Sequence, residues 1–359
     1  MVDGRIKVLV ADDSTVTRMF LVHLLESDPR IRVVGAVSDG QAALDFVIES
    51  KPDVVLMDIN MPKLDGFEAT RRIMETEAVP IIICSAAANT KDMDIAFRAM
   101  EAGAIACIEK PIGREHGDFE ALAAHLLETV RLMSEVKVVR RSGRTRTTPL
   151  QKAELQAPVE IKVIGVGAST GGPPVLQTIL AALPKDFSVP LLVVQHIARG
   201  FVTGMADWLN QTTSLQVRIA SHGVYPESGH VYLAPDDFHM GVGVGGEIIL
   251  TRQEPENHLR PSVAFLFRSL AAVHGPNALG VLLTGMGKDG AVELKAMKDR
   301  GAITIAQDKE SSVVHGMPGV AIALGGATHV LSPDKIANAL TTLINHRAGV
   351  SRSRGYEFK

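Results

Sequence analysis

Three residues far apart in the chain carry the parts of a nucleophilic catalyst. Ser169 lies in IKVIGVGASTGGPP, Ile161 to Pro174, where an apolar stretch rises into small residues and then two prolines. Gly167, Ser169 and Gly171 fit G-x-S-x-G, a pattern that turns a serine out of a sharp strand-to-helix bend. Such a bend exposes the hydroxyl and places helix N-terminal amides beside it, where a developing oxyanion can be held. His196 follows the next apolar run, which ends in Gln195. Asp289 sits in LLTGMGKDG, a second glycine turn, behind Leu282-Leu283. A serine nucleophile, an imidazole base and a carboxylate that orients the imidazole are the components of acyl transfer. Their chain order, Ser, His, Asp, is not the Ser, Asp, His of the α/β-hydrolases, so that fold is not assigned.

Each part also has a plainer reading. Gly165, Gly167 and Gly171 make a loose dinucleotide fingerprint. A dinucleotide fold would end its next strand in an acid for the ribose; that position here reads Gln195-His196. Asp289 alone would serve as the first residue of a helix. His258 and His315 lie in polar loops that could line a cleft, and the histidines of this half lack the close paired spacing of a helical zinc motif.

The N-terminal third holds a different constellation. Asp12 and Asp13 end its first apolar run, Asp58 the third, Ser85 the fourth and Lys110 the fifth. Carboxylates crowded at one place repel one another and call for a cation. Hard oxygen ligands with room for water suit magnesium. A nearby hydroxyl and ammonium complete a site for a phosphoryl group, with one carboxylate as its acceptor. Helix capping explains Asp13 but not the joint placement at four strand ends.

These residues need elements to position them. Apolar strands are expected at Ile6–Val10, Val33–Val37, Val54–Met57, Ile81–Cys84 and Ile105–Ile108, with amphipathic helices between. A second series is expected at Val163–Val166, Val189–Val194, Val217–Ala220, Ala278–Leu283 and Ala302–Ala306. Gly229–Ala234 and Gly246–Arg252 flank a glycine-rich stretch and read as a β-hairpin. The fold class is therefore α/β, with two doubly wound parallel sheets whose sites form at strand carboxyl ends. The first domain spans 1–133 and the second 161–347. Between them, 134–160 reads as a basic, flexible linker, where Arg131, Lys137, Arg140, Arg141, Arg144 and Arg146 face only Glu135. Residues 348–359 read as a disordered tail.

At 359 residues the chain is long for one core. A net charge of −3 predicts no attraction to nucleic acid or membrane. There is no apolar run long enough for membrane insertion, and the opening MVDGRIKVLVADD meets acid too early for a signal peptide. A cytoplasmic protein is expected, with Cys84 and Cys107 as buried thiols.

With those residues in place, the first domain resembles a response-regulator receiver. The resemblance rests on Asp12-Asp13, Asp58 followed by MPKLDG, Ser85 and Lys110-Pro111. It implies that Asp58 accepts phosphate from a chemotaxis histidine kinase. It implies magnesium (Mg2+) held by Asp13, Asp58 and the Asn60 carbonyl, with Asp12 acting through water. Ser85 and Lys110 would engage the phosphoryl oxygens. Many receivers carry an aromatic switch residue three positions before the lysine; Cys107 stands there instead.

The second domain resembles the catalytic domain of chemotaxis receptor methylesterases, through VIGVGASTGGP, QHI, LLTGMGKDG and HGMPG. That resemblance implies Ser169 as nucleophile, His196 as base and Asp289 as orienting acid, with Thr170 and Met286 beside them. It implies demethylation of glutamate methyl esters on methyl-accepting chemoreceptors, deamidation of receptor glutamines, and no cofactor in the catalytic domain. It further implies that the receiver covers the esterase cleft until it is phosphorylated.

Overall fold

The computed structural model describes residues 4–85, 90–111, 119–136 and 160–352, in two α/β units. The first unit alternates strictly: β1 (Ile6–Ala11), α1 (Thr15–Glu26), β2 (Ile31–Val37), α2 (Gly40–Ser50), β3 (Val54–Met57), α3 (Gly66–Thr76), β4 (Ile81–Ser85), α4 (Thr90–Ala102), β5 (Ala106–Glu109) and α5 (Phe119–Ser134). Polar side chains start the helices. Ser14, Asp39 and Asp65 each accept a hydrogen bond from a backbone amide three residues on, which satisfies a donor the helix leaves free. The strands lie in the order β2-β1-β3-β4-β5, and every pairing is parallel. All of β3 and β4 is buried, because helices cover both faces of a parallel sheet. That is why these strands read as unbroken apolar runs. The chain leaves β1 toward one edge and crosses back to β3 on its other side, so a crevice opens beyond the carboxyl ends of β1 and β3.

Farther along the chain come β6 (Val163–Ala168), α6 (Gly172–Ala181), β7 (Leu191–Gln195), α7 (Phe201–Thr212), β8 (Gln216–Ile219), β9 (His230–Leu233), β10 (His239–Val242) and β11 (Ile248–Thr251). They are followed by α8 (Val263–Val273), β12 (Ala278–Leu282), α9 (Ala291–Asp299), β13 (Ile303–Gln307), α10 (Met317–Ala323), β14 (His329–Leu331) and α11 (Pro333–Arg352). Seven strands form a second parallel sheet in the order β14-β13-β12-β6-β7-β9-β8. Its reversal point lies between β6 and β12.

The structure corrects one expectation and adds to others. The expected hairpin partner Gly229–Ala234 instead supplies β9, a strand of the main sheet that pairs in parallel with β7 and β8. Val231, Tyr232 and Leu233 are buried, as a parallel strand requires. The true hairpin joins β10 to β11, antiparallel. The sequence reading also passed over α10 and β14, which are too short to announce themselves by periodicity. Finally, α11 runs through Arg352, into the segment expected to be a tail. The expected linker lies largely outside the described residues, as does everything beyond 352.

Helix α8 sits directly on β6, and Gly167 makes that approach possible. A β-carbon at Gly167 would come within 2.3 Å of Val263 Cγ1. Two of the glycines that imitate a dinucleotide fingerprint, Gly165 and Gly167, therefore serve helix–sheet packing. Phe267 and Leu270 on the same helix are fully buried, each worth about 1.5–3 kcal/mol on transfer from water.

Candidate functional site

Ser169 follows the last residue of β6, and Gly171, in the left-handed region at φ 76°, turns the chain into α6. Pro173 and Pro174 sit in the first turn of that helix, where a missing N–H costs nothing. The elbow is braced on three sides. The Ser169 amide donates to the Thr284 carbonyl at 3.0 Å, and the Gly172 amide donates to the Ser169 carbonyl at 2.8 Å. Gln195 Nε2 donates to the Ser169 carbonyl and to the His196 carbonyl, each at 2.8 Å. Thr284 Oγ1 also donates to the Thr170 carbonyl at 3.0 Å.

His196 enters from the neighbouring strand. Ala168 pairs with Gln195 in the β6–β7 register, and the His196 amide donates to the Ala168 carbonyl at 2.9 Å. The nucleophile candidate and the base candidate thus leave adjacent strands side by side. Asp289 arrives from beyond β12, on the other side of β6. Its Oδ2 lies 3.1 Å from His196 Nε2. The two groups are close, but the ring is not aligned for a hydrogen bond to the carboxylate. With Nε2 turned to the carboxylate, Nδ1 is the nitrogen left for a serine proton.

Asp289 is buried and firmly held. Its Oδ1 accepts from Ser262 Oγ at 2.8 Å, and its Oδ2 accepts from the Val263 amide at 2.6 Å. The Ala264 amide adds a longer bond at 3.2 Å. These are the donors of the α8 N-terminus, where a negative charge is favoured. Burial alone would raise the Asp289 carboxyl, but His196, Ser262 and Val263 together bring it below its ordinary value. It is therefore an anion at neutral pH, available to orient an imidazole and stabilise its charged form. A cleft of about 320 Å³ opens beside it, between Asn257–Leu259 and Met286–Asp289.

Of the expected residues, the structure sets Asp289 against His196, puts His196 and Ser169 at the ends of adjacent strands, and places Met286 in the cleft that Asp289 lines. Sequence reasoning missed Ser262, Gln195 and Thr284 as the groups that hold them. Ser262 was readable as a helix cap, since it precedes an amphipathic run. Its second partner, Asp289, was not.

In the first unit the expected residues also converge. Asp12 and Asp58 are buried while Asp13 is exposed, and ligand oxygens of the three lie within 4.8 Å of one another. Lys110 Nζ lies 2.6 Å from Asp58 Oδ1 and 2.8 Å from Asp12 Oδ2. Its approach to Asp12 is off-axis, so Asp12 Oδ2 has no aligned hydrogen bond. Burial pushes the Asp58 carboxyl above its ordinary value, although Lys110 pulls it back in part. Burial would lower Lys110, but Asp58 and Asp12 hold its ammonium above the usual lysine value. Ser85 closes β4 and is buried. Asn60 is exposed, just past Asp58. Three clustered carboxylates, one with a buried and poorly satisfied oxygen, fit a hard divalent cation.

Residues 164–340 match the family model described as CheB methylesterase, and residues 8–118 match the response regulator receiver domain. A Nitrosospira multiformis protein named protein-glutamate methylesterase/protein-glutamine glutaminase is 51% identical over 347 residues, covering 95% of this chain and 98% of its own length. A Syntrophus aciditrophicus protein named protein-glutamate methylesterase/protein-glutamine glutaminase 1 is 52% identical over 344 residues, covering 94% of this chain and 98% of its own. Among solved structures, the Thermotoga maritima CheB methylesterase catalytic domain is 40% identical and covers 51% of this chain and 98% of that one, with a TM-score of 0.49. Identity of this order, sustained through both units, means that the chain belongs to the protein-glutamate methylesterase/protein-glutamine glutaminase family, with a receiver domain ahead of its methylesterase domain.

Proposed function

We infer that this protein is a phosphorylation-controlled serine hydrolase that removes methyl groups from glutamate methyl esters on methyl-accepting chemoreceptors. It acts in the cytoplasm, and the same site converts receptor glutamines to glutamates. The observation that carries the reading is the approach of buried Asp289 to His196, which leaves a strand adjacent to the one that ends at Ser169. We assign the phosphoryl chemistry to residues 1–133 and the hydrolysis to 161–347.

In the proposed reaction Ser169 Oγ attacks the ester carbonyl carbon, and His196 Nδ1 takes the hydroxyl proton. Ser169 and Gly172 have committed their amides to carbonyls, and Pro173 and Pro174 have none. The Thr170 and Gly171 amides are then the elbow donors for the oxyanion. When the tetrahedral intermediate collapses, the C–O bond to the methoxy group breaks and His196 returns the proton, releasing methanol. Water attacks the acyl-serine with His196 again as base, yielding the glutamate carboxylate and free Ser169. With a glutamine substrate the first leaving group is ammonia. Thr170 supports the elbow and Met286 lines the adjoining cleft. The decisive assay measures methanol from methylated receptors with and without a phosphodonor. No methanol under either condition would sink the reading.

Gly285 offers a sharper test of the elbow. A β-carbon there would lie 2.4 Å from Met317 Sδ and 2.7 Å from Ser169 Cβ. The thioether can swing aside, but Ser169 can yield only by moving the elbow. Gly285→Ala is expected to lower methanol turnover about 100-fold, the cost of misplacing a reacting group by about 1 Å. Unchanged turnover with an unchanged melting temperature would show that the elbow is not held as tightly as this packing indicates.

For the receiver, Asp13, Asp58 and the Asn60 carbonyl would hold Mg2+, with Asp12 acting through water. Ser85 and Lys110 would meet the phosphoryl oxygens. When bound, the cation supplies charge neutralisation for phosphoryl transfer from the kinase to Asp58. Magnesium at about 100 times its Kd should add roughly 2.7 kcal/mol to the unfolding free energy of this unit. Calorimetry of the full chain is expected to show that gain in the wild type and its loss in Asp13→Asn. An equal gain in both would remove Asp13 from the ligand set.

A further inference from the structure

The wall of the cleft opposite Met286 is a two-residue turn. Glu256 and Leu259 exchange backbone hydrogen bonds, at 3.1 Å from the Glu256 amide and 2.9 Å from the Leu259 amide. Between them Asn257 and His258 both have positive φ, 51° and 64°. This is the backbone of a type I′ turn, whose second central position normally goes to glycine. A histidine held there is strained, and the surroundings impose it. Arg268 pairs with Glu256 from α8, and Arg260 Nη1 donates to the Gln253 carbonyl at 3.2 Å. Strain maintained in this way is characteristic of residues kept for a ligand.

Across the cleft stands Lys288, exposed and adjacent in sequence to Asp289. Among the described residues no acidic side chain forms an ion pair with it. The cleft therefore presents an ammonium with no ion-pair partner among the described residues, a carboxamide and an imidazole, and Asp289, the carboxylate that faces His196, lines it as well. A cation flanked by N–H donors recognises a carboxylate. We propose that this cleft is a specificity subsite for an acidic side chain of the substrate polypeptide that neighbours the scissile ester. Lys288 supplies the charge, and Asn257 and His258 supply hydrogen bonds. The proposal rests on the esterase reading and adds to it which esters are preferred.

The test compares two esterified receptor fragments that differ only beside the methyl ester, where one carries glutamate and the other alanine. Full-length enzyme with phosphodonor is assayed for methanol, and the readout is the ratio of kcat/KM for the two fragments. An exposed charge pair sets a preference of about fivefold for the acidic fragment. Lys288→Glu should reverse that preference, moving the ratio by at least about tenfold, mainly through KM. His258→Gly suits the turn backbone, so the fold is kept, and it should weaken the preference by loss of one donor. A ratio near one in the wild type, or a ratio unchanged by Lys288→Glu, would overturn the subsite while methanol release leaves the esterase reading standing. No methanol from either fragment would overturn the esterase reading and the subsite with it.

Discussion

Ser169→Ala is expected to lower methanol release from a methylated receptor by on the order of 10⁴–10⁶-fold. His196→Ala should do the same, and the double variant should be little worse than either single one. The reason lies in how the groups act. Without the hydroxyl the imidazole has no proton to take, and without the imidazole the hydroxyl is a weak nucleophile at neutral pH. Each loss disables the same step. What remains in either variant is oxyanion stabilisation and substrate binding, which the elbow amides and the cleft still provide. The surroundings should survive the changes. Ser169 is braced through its backbone by Thr284, Gly172 and Gln195, and Asp289 keeps its bonds to Ser262 and Val263 when His196 is gone. Intact melting behaviour with abolished turnover is therefore the expected signature. A double variant whose loss equals the product of the two single losses would mean that the residues do not act together. Near-normal release by Ser169→Ala would remove the serine mechanism altogether.

Asp58→Asn is expected to abolish phosphoryl uptake completely. Asp58 is the buried carboxylate closest to Lys110, at 2.6 Å, with Asp12 and Asp13 around it. The amide keeps the shape of the side chain but has no nucleophilic oxygen of comparable strength. Phosphorylation adds about two negative charges at this strand end, and Lys110 is already in place to meet them. Mass spectrometry after incubation with a small phosphodonor and magnesium should show one phosphoryl group on the wild type and none on the variant. The variant's methanol release should also stop responding to the donor. Full-stoichiometry labelling of Asp58→Asn would mean that another residue is the acceptor. Labelling of the wild type without any magnesium would contradict the role given to the three carboxylates.

Much of this architecture is a local property of the sequence. Val54–Met57 and Ile81–Cys84 are apolar throughout because parallel strands are covered on both faces. That pattern can be read without knowing what covers them. The placement of Asp12, Asp58, Ser85 and Lys110 at the carboxyl ends of β1, β3, β4 and β5 follows directly, since all parallel strands end on the same side of the sheet. Ser169 was equally legible, because a strand, a glycine turn and a proline-started helix meet within a few residues. The chain alone therefore determined two α/β units, the elbow and the polar side chains gathered at the strand ends of each.

What the sequence could not decide was which distant groups stand together. Strand order placed β6 between β7 and β12, and only that order brings His196 and Asp289 to Ser169 from opposite sides. Asp289 reads as a possible helix cap, and it does cap a helix, but the helix is α8, whose first residues precede it in the chain. The misread hairpin has the same origin. Val231–Leu233 is apolar enough for either pairing, and its burial against β7 rather than β11 is a long-range choice. The left-handed turn at Asn257-His258 was invisible for a related reason, since no glycine marks it and its neighbours impose the conformation. Periodicity, turn chemistry and caps act within a few residues. Packing, register and the environment of a buried charge depend on contacts between segments far apart in the chain, and those exist only once it has folded.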